Sequence, residues 1–90
     1  MPQSYEVRFT NTALQSLHRF PRNDQRRILA RVEQLASDPI SMPNVKRLVE
    51  YDDAAYRLRV GNYRILFDRD DAMRIIDIID VRTRGRAYRR

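Results

Sequence analysis

The 90-residue chain reads as an α+β fold in which one antiparallel sheet carries a two-helix hairpin on one face, in the order β-α-α-β-β-β-β. Three observations predict it. A short alternating segment stands at the N-terminus, two helical periods follow back to back, and the second half is a series of alternating apolar segments broken by turn residues. No repeat, low-complexity tract or linker divides the chain, so residues 1–90 are expected to form a single domain, with one modest core.

In Ser4–Phe9, Tyr5, Val7 and Phe9 alternate with Glu6 and Arg8, as in a half-buried strand. Thr10 or Thr12 can cap the helix that follows, and Thr12 with Gln15 fits a capping box. Ala13, Leu14 and Leu17 form its apolar side, and Pro21 limits its end. A second helix is expected from about Asn23 to Ser37. There Ile28, Val32, Leu35 and Ala36 share a face, while Arg22, Arg26, Arg27, Arg31 and Glu33 lie off it. Asp38-Pro39 stops it. Strands are expected at Lys46–Glu50, Ala54–Val60, Tyr63–Asp68 and Met73–Val81. The last is apolar on both faces apart from Asp77 and Asp80, which marks an interior strand.

Composition narrows the function. Cysteine is absent, so disulfides and thiolate metal sites are excluded, and the single histidine, His18, argues against a zinc site. The N-terminal residues lack the apolar stretch of a signal peptide, and no apolar run reaches the ~20 residues of a membrane span. A cytoplasmic setting with no membrane partner is the expectation. The net charge is +6 from 18 basic and 12 acidic residues, and Lys46 is the only lysine. Residues 82–90 hold five arginines and no acid. A guanidinium matches the geometry of phosphate oxygens and does not titrate near neutrality, so a polyanion or an acidic protein is the expected partner.

The arginines are placed unusually. Gly61-Asn62 between two alternating runs signals a two-residue hairpin loop. Val60 would then oppose Tyr63, Arg59 oppose Arg64, Leu58 oppose Ile65 and Tyr56 oppose Phe67. Tyr56, Leu58, Val60, Tyr63, Ile65 and Phe67 turn to the core; Arg57, Arg59, Arg64 and Leu66 turn away. Like charges directly opposed across an antiparallel pair are destabilising, and a bound phosphate would reverse the sign. The plain alternative is a solvated face neutralised by Asp68, Asp80 or Glu50. After the last strand come Arg82, Arg84, Arg86, Tyr88, Arg89 and Arg90, an aromatic among arginines, which suits unpaired RNA.

At these two clusters the chain resembles the RelE/ParE toxin superfamily. Residues 56–67 resemble its central hairpin, and Val81-x-Thr83-Arg84-x-x-Ala87-Tyr88-Arg89 its C-terminal segment; Lys46-Arg47-Leu48 and the paired helices also fit. The resemblance implies the toxin of a type II toxin–antitoxin pair. Its RelE-like members are metal-independent endoribonucleases (mRNA interferases) without cofactors that cut messenger RNA in the ribosomal A site by 2′-hydroxyl attack and inhibit translation. ParE-like members bind DNA gyrase instead. By position, Arg64 would grip the scissile phosphate, Arg84 would stand at the leaving 5′-oxygen, Tyr88 would stack on a base, and Arg57 and Arg59 would lie beside the attacking hydroxyl. Lys46, Arg47, Arg82, Arg86 and Arg89 would bind RNA. The implied partners are the ribosome, mRNA and an acidic RelB-like antitoxin in a toxin–antitoxin hetero-oligomer.

Two positions depart from the family pattern. Arginine at 57 and 59 cannot readily serve as a general base. Thr83 stands where many relatives carry histidine, and Glu50, Asp80, Tyr88 or a ribosomal group are the candidates to replace it. Asp77 and Asp80 read as ion-pair partners of arginines, and His18 as a surface or helix-packing residue. A gyrase inhibitor without nuclease chemistry, and a purely regulatory nucleic-acid-binding module, are the competing readings.

Overall fold

The computed structural model describes residues 4–50 and 53–83. The elements are β1 (Glu6–Phe9), α1 (Asn11–His18), α2 (Arg22–Ser37), β2 (Val45–Arg47), β3 (Tyr56–Val60), β4 (Tyr63–Asp70) and β5 (Ile75–Thr83). The predicted class and element order are those observed. The strands form one sheet in the order β1-β5-β4-β3-β2. Three of its pairs are antiparallel, but β1 runs parallel to β5, with Val7 beside Ile76 and Phe9 beside Ile78, so the sheet is mixed. The αα-hairpin carries the chain from one edge of the sheet to the other; three antiparallel pairs then lead back to β1, and β5 arrives in the same direction. Alternation in a sequence says which side chains face the core and nothing about the direction of a neighbouring strand.

Of the two candidate caps for α1, Thr10 is used. Its Oγ1 accepts from the Ala13 N–H at 3.0 Å, and its hydroxyl donates to the Ile79 carbonyl at 2.7 Å, which ties the helix start to β5. Pro21 separates the helices and is itself the N-cap of α2; the Gln25 amide donates to the Phe20 carbonyl at 2.8 Å in place of a side-chain cap. Ile28, Val32, Leu35 and Ala36 are buried as their spacing predicts, as are Ala13 and Leu17 of α1, whereas Leu14 is exposed. Ala13, Leu17, Ile28, Val32 and Leu35 pack with Leu58, Val60, Tyr63, Ile65, Phe67, Ile76, Ile78 and Val81 into one cluster. A fully buried Leu, Ile or Phe contributes roughly 1.5–3 kcal/mol, so this helix-facing side of the sheet supplies most of the favourable free energy. Among the described residues no helix is long and apolar enough to cross a membrane.

The β3–β4 hairpin has the predicted register throughout, from Tyr56 opposite Phe67 to Val60 opposite Tyr63. Gly61 takes φ +58°, and Asn62 is not among the residues of positive φ, the pattern of a type II′ turn with glycine first. A Cβ on Gly61 would also lie 2.6 Å from Nη2 of Arg27, so the turn is pressed against α2. Tyr63 completes that contact. Its ring lies 4.6 Å from that of Phe20, and its hydroxyl donates to Oδ2 of Asp24 at 2.6 Å. That bond, then burial, raises the tyrosine pKa. The folded pKa therefore lies above the unfolded one. The stabilisation is complete below pH ~10 and is lost as pH climbs through the raised folded value. Tyr63→Phe is expected to lower stability by about 1–2 kcal/mol at neutral pH. In urea unfolding the gap to the wild type should narrow under strongly alkaline conditions; a gap independent of alkaline pH would show that Asp24 contributes nothing through the hydroxyl.

Candidate nucleic-acid interface

The face of the sheet turned away from the helices is set by the same register that builds the core. Lys46 opposes Arg57, Arg57 opposes Leu66 and Leu66 opposes Asp80, which makes one row across four strands. The next row is Arg59, Arg64 and Arg82 on β3, β4 and β5. A β-bulge makes the second row possible. Leu66 pairs with Asp80, but Phe67 pairs with Ile78, so Ile79 is an extra residue on β5. Without it, β5 could not present both Ile78 and Val81 to the core and Arg82 beside Arg64.

The residues named from the sequence divide accordingly. Lys46, Arg57, Arg59, Arg64 and Arg82 share one face. Arg47 pairs with Tyr56, whose ring stacks on Phe67, and so alternates to the helix side of edge strand β2; the structure does not bring it to the arginine face. Arg84, Arg86, Tyr88 and Arg89 lie outside the described residues. His18 is exposed in the last turn of α1.

Arg64 is only 9% exposed, although it lies on the open face. Leu66 beside it is 4% exposed. Asp53, in the segment leading into β3 and three residues before it, forms an ion pair with Arg82 on β5 at 3.2 Å. The same segment is pinned by the Ala55 N–H donating to Oδ1 of Asp68 at 2.8 Å. Arg57 reaches back to the Asn44 carbonyl at 3.4 Å.

Asp68 and Asp77 lie towards the other end of this face. Asp77 pairs with Arg8 of β1 at 3.0 Å and stands opposite Asp68. Both hydrogen bonding to Asp77 and its charge raise the pKa of Arg8. Asp80 bonds to Arg82 at 3.1 Å. Asp77 and Asp80 are thus ion-pair partners of arginine, as the sequence suggested. Neither Asp53 nor Ser16, which donates to Oδ1 of Asp80 at 2.6 Å, could have been found from sequence, because their partners lie 29 and 64 residues away. What results is a polarised face. Its acidic end is spent on local contacts, and its turn-proximal end concentrates positive charge, an arrangement that attracts an extended anion.

Residues 7–88 match the family described as the ParE toxin of the type II toxin–antitoxin system parDE. The chain belongs to the RelE/ParE toxin superfamily. It is a type II toxin, 36% identical over 89 residues to toxin RelG of Mycobacterium tuberculosis, with 96% of this chain and 98% of the relative covered. Its fold is similar to one in the toxin–antitoxin complex RelBE2 from Mycobacterium tuberculosis, at a TM-score of 0.79 and 29% identity, covering 91% of this chain and 100% of the other. The archaeal RelE–RelB complex from Pyrococcus horikoshii gives a TM-score of 0.78 and 26% identity, covering 93% and 99%.

Arg59 is an uneconomical residue for the fold of this toxin, since it stands directly across from Arg64. Arg59→Thr is expected to raise stability by about 0.2–1 kcal/mol at low ionic strength. Salt should erase most of that gain. Denaturant titrations at two salt concentrations check it; a variant less stable than wild type at low salt would mean that the opposed charges are not a cost.

Proposed function

We propose that the toxin is a ribosome-dependent endoribonuclease that cuts messenger RNA in the A site. The observation that carries this reading is the placement of Arg59, Arg64 and Arg82 on neighbouring strands at one register, with Arg57 and Lys46 in the adjacent row. Such a surface binds phosphodiester oxygens more naturally than it serves the fold. In the reaction the 2′-oxygen attacks the adjacent phosphorus and the bond to the 5′-oxygen breaks. The products are a 2′,3′-cyclic phosphate and a 5′-hydroxyl, and a proton passes from the 2′-hydroxyl to solvent or a base and another to the leaving oxygen. Arg64, nearly buried at the centre of the row, holds the non-bridging oxygens and stabilises the added charge of the pentacoordinate state. Arg82, directly opposite it, extends the same clamp. Arg57 and Arg59 lie on the side of the attacking hydroxyl. Arg84 and Tyr88 retain the roles that the family pattern implies, at the leaving oxygen and on a base.

Arginine cannot readily accept a proton near neutrality, so the rate enhancement comes chiefly from electrostatic stabilisation and in-line positioning. A missing general base costs about 10²–10⁴-fold, which a ribosomal group or water would have to recover. An acidic RelB-like antitoxin is the proposed partner, supported by the net charge of +6 and by the toxin–antitoxin complexes among the similar structures.

Two observations favour a second reading, a gyrase-binding inhibitor without chemistry: the matching family is described by its ParE toxin, and no histidine stands on the described arginine face. Expression of the toxin separates them. The nuclease predicts truncated messages with 5′-hydroxyl ends, read by primer extension on a translated reporter; the inhibitor predicts stalled gyrase and an SOS response. Arg64→Ala and Arg84→Ala are each expected to remove growth inhibition while the protein stays folded, with at least a 10²-fold loss of cleavage. Folded variants that still cut messages as before would sink the nuclease reading.

A further inference from the structure

Two carboxylates of unlike character among the described residues contact Arg82. Asp80, with its side chain 12% accessible, bonds through Oδ2 to Nε of Arg82 at 3.1 Å. Its other oxygen is already engaged, by the Ser16 hydroxyl at 2.6 Å and the Val81 N–H at 2.8 Å. It cannot turn away without breaking three hydrogen bonds. Asp53, with its side chain 54% accessible, meets Arg82 through Oδ2, 3.2 Å from Nη2. The Nε contact, to the nearly buried carboxylate, orients the plane of the guanidinium; the Nη contact is to the exposed one.

A carboxylate and a phosphodiester present the same kind of oxygen to a guanidinium edge. Exposed ion pairs exchange at little cost, whereas removing one partner from a buried pair is strongly unfavourable. We propose that Asp53 is a built-in stand-in for an RNA phosphate, which the bound strand displaces from Arg82, and that Asp80, steadied by Ser16, is the positioning residue that keeps Arg82 aligned with Arg64. This inference rests on the nucleic-acid reading given above. It also accounts for how two arginines can stand opposite each other on β4 and β5 before any ligand arrives: Asp80 supplies a permanent counter-charge and Asp53 an exchangeable one.

The two carboxylates should therefore act in opposite directions although both carry one negative charge. The test uses the purified full chain and a short fluorescein-labelled single-stranded RNA, read by fluorescence anisotropy at low salt, with circular dichroism confirming that each variant is folded. Asp53→Asn is expected to tighten binding about 2- to 5-fold, and to have no effect in an Arg82→Gln background. Asp80→Asn is expected to weaken binding about tenfold. Ser16→Ala, which keeps the carboxylate and tolerates the helix, should weaken it in the same direction by less. An equal gain from Asp53→Asn with and without Arg82 would reduce the effect to net charge and overturn the proposal, as would tighter binding by Asp80→Asn. If RNA binding depends on Arg64 yet lacks the Asp53–Arg82 coupling, this inference alone falls. If the wild type does not bind the RNA, or binds it just as well with Arg64→Gln, the nucleic-acid reading falls first.

Discussion

The molecule depends on a conflict between the two faces of its sheet. On one face, Leu58, Val60, Ile65, Phe67, Ile78 and Val81 fix the register of β3, β4 and β5 by burial against the helices. That register leaves no freedom on the other face, where Arg59, Arg64 and Arg82 are brought into line. A one-residue slip would separate the arginines, but it would also turn the apolar side chains into water, at far greater cost than the repulsion it relieved. The core thus pays for a charge arrangement that the fold itself does not need. A neutral strand residue at position 59 would serve the sheet better, which is why the row reads as a binding surface.

The free protein contains this charge by geometry. Acidic residues are not spread evenly among the arginines: Asp68 is used on a backbone N–H, Asp77 on Arg8 and Asp80 on Arg82. Among the ion pairs described, only that of Asp53 brings a carboxylate more than half exposed to this row. The positive end of the face therefore keeps its field, and the cost is moderated where β4 meets β5.

Much of this was legible in the sequence because it is local. Gly61-Asn62 and the alternation on each side give the hairpin register, and with it the opposition of Arg59 and Arg64. The spacing of Ile28, Val32, Leu35 and Ala36 gives the buried face of α2. What escaped depends on contacts distant along the chain. The parallel pairing of β1 with β5 leaves no trace in alternation. The extra residue Ile79 cannot be told from an ordinary position in an apolar run, yet it sets Asp80 opposite Leu66 and Arg82 opposite Arg64. The resemblance places Arg47 among the RNA-binding residues, but its register beside Tyr56 turns it to the other side of the sheet. Asp53 and Ser16 are unremarkable residues until the fold carries them to Arg82 and Asp80.

The central claim is that the aligned arginines are unfavourable alone and favourable with phosphate between them. Equilibrium unfolding of the wild type and Arg64→Gln at low ionic strength, with and without a saturating short single-stranded RNA, tests it most directly. The account predicts that the variant gains on the wild type, or matches it, without RNA, and that RNA stabilises the wild type enough to reverse the order. If the order is the same in both conditions, with RNA adding nothing through Arg64, the row is not a phosphate site and the account fails.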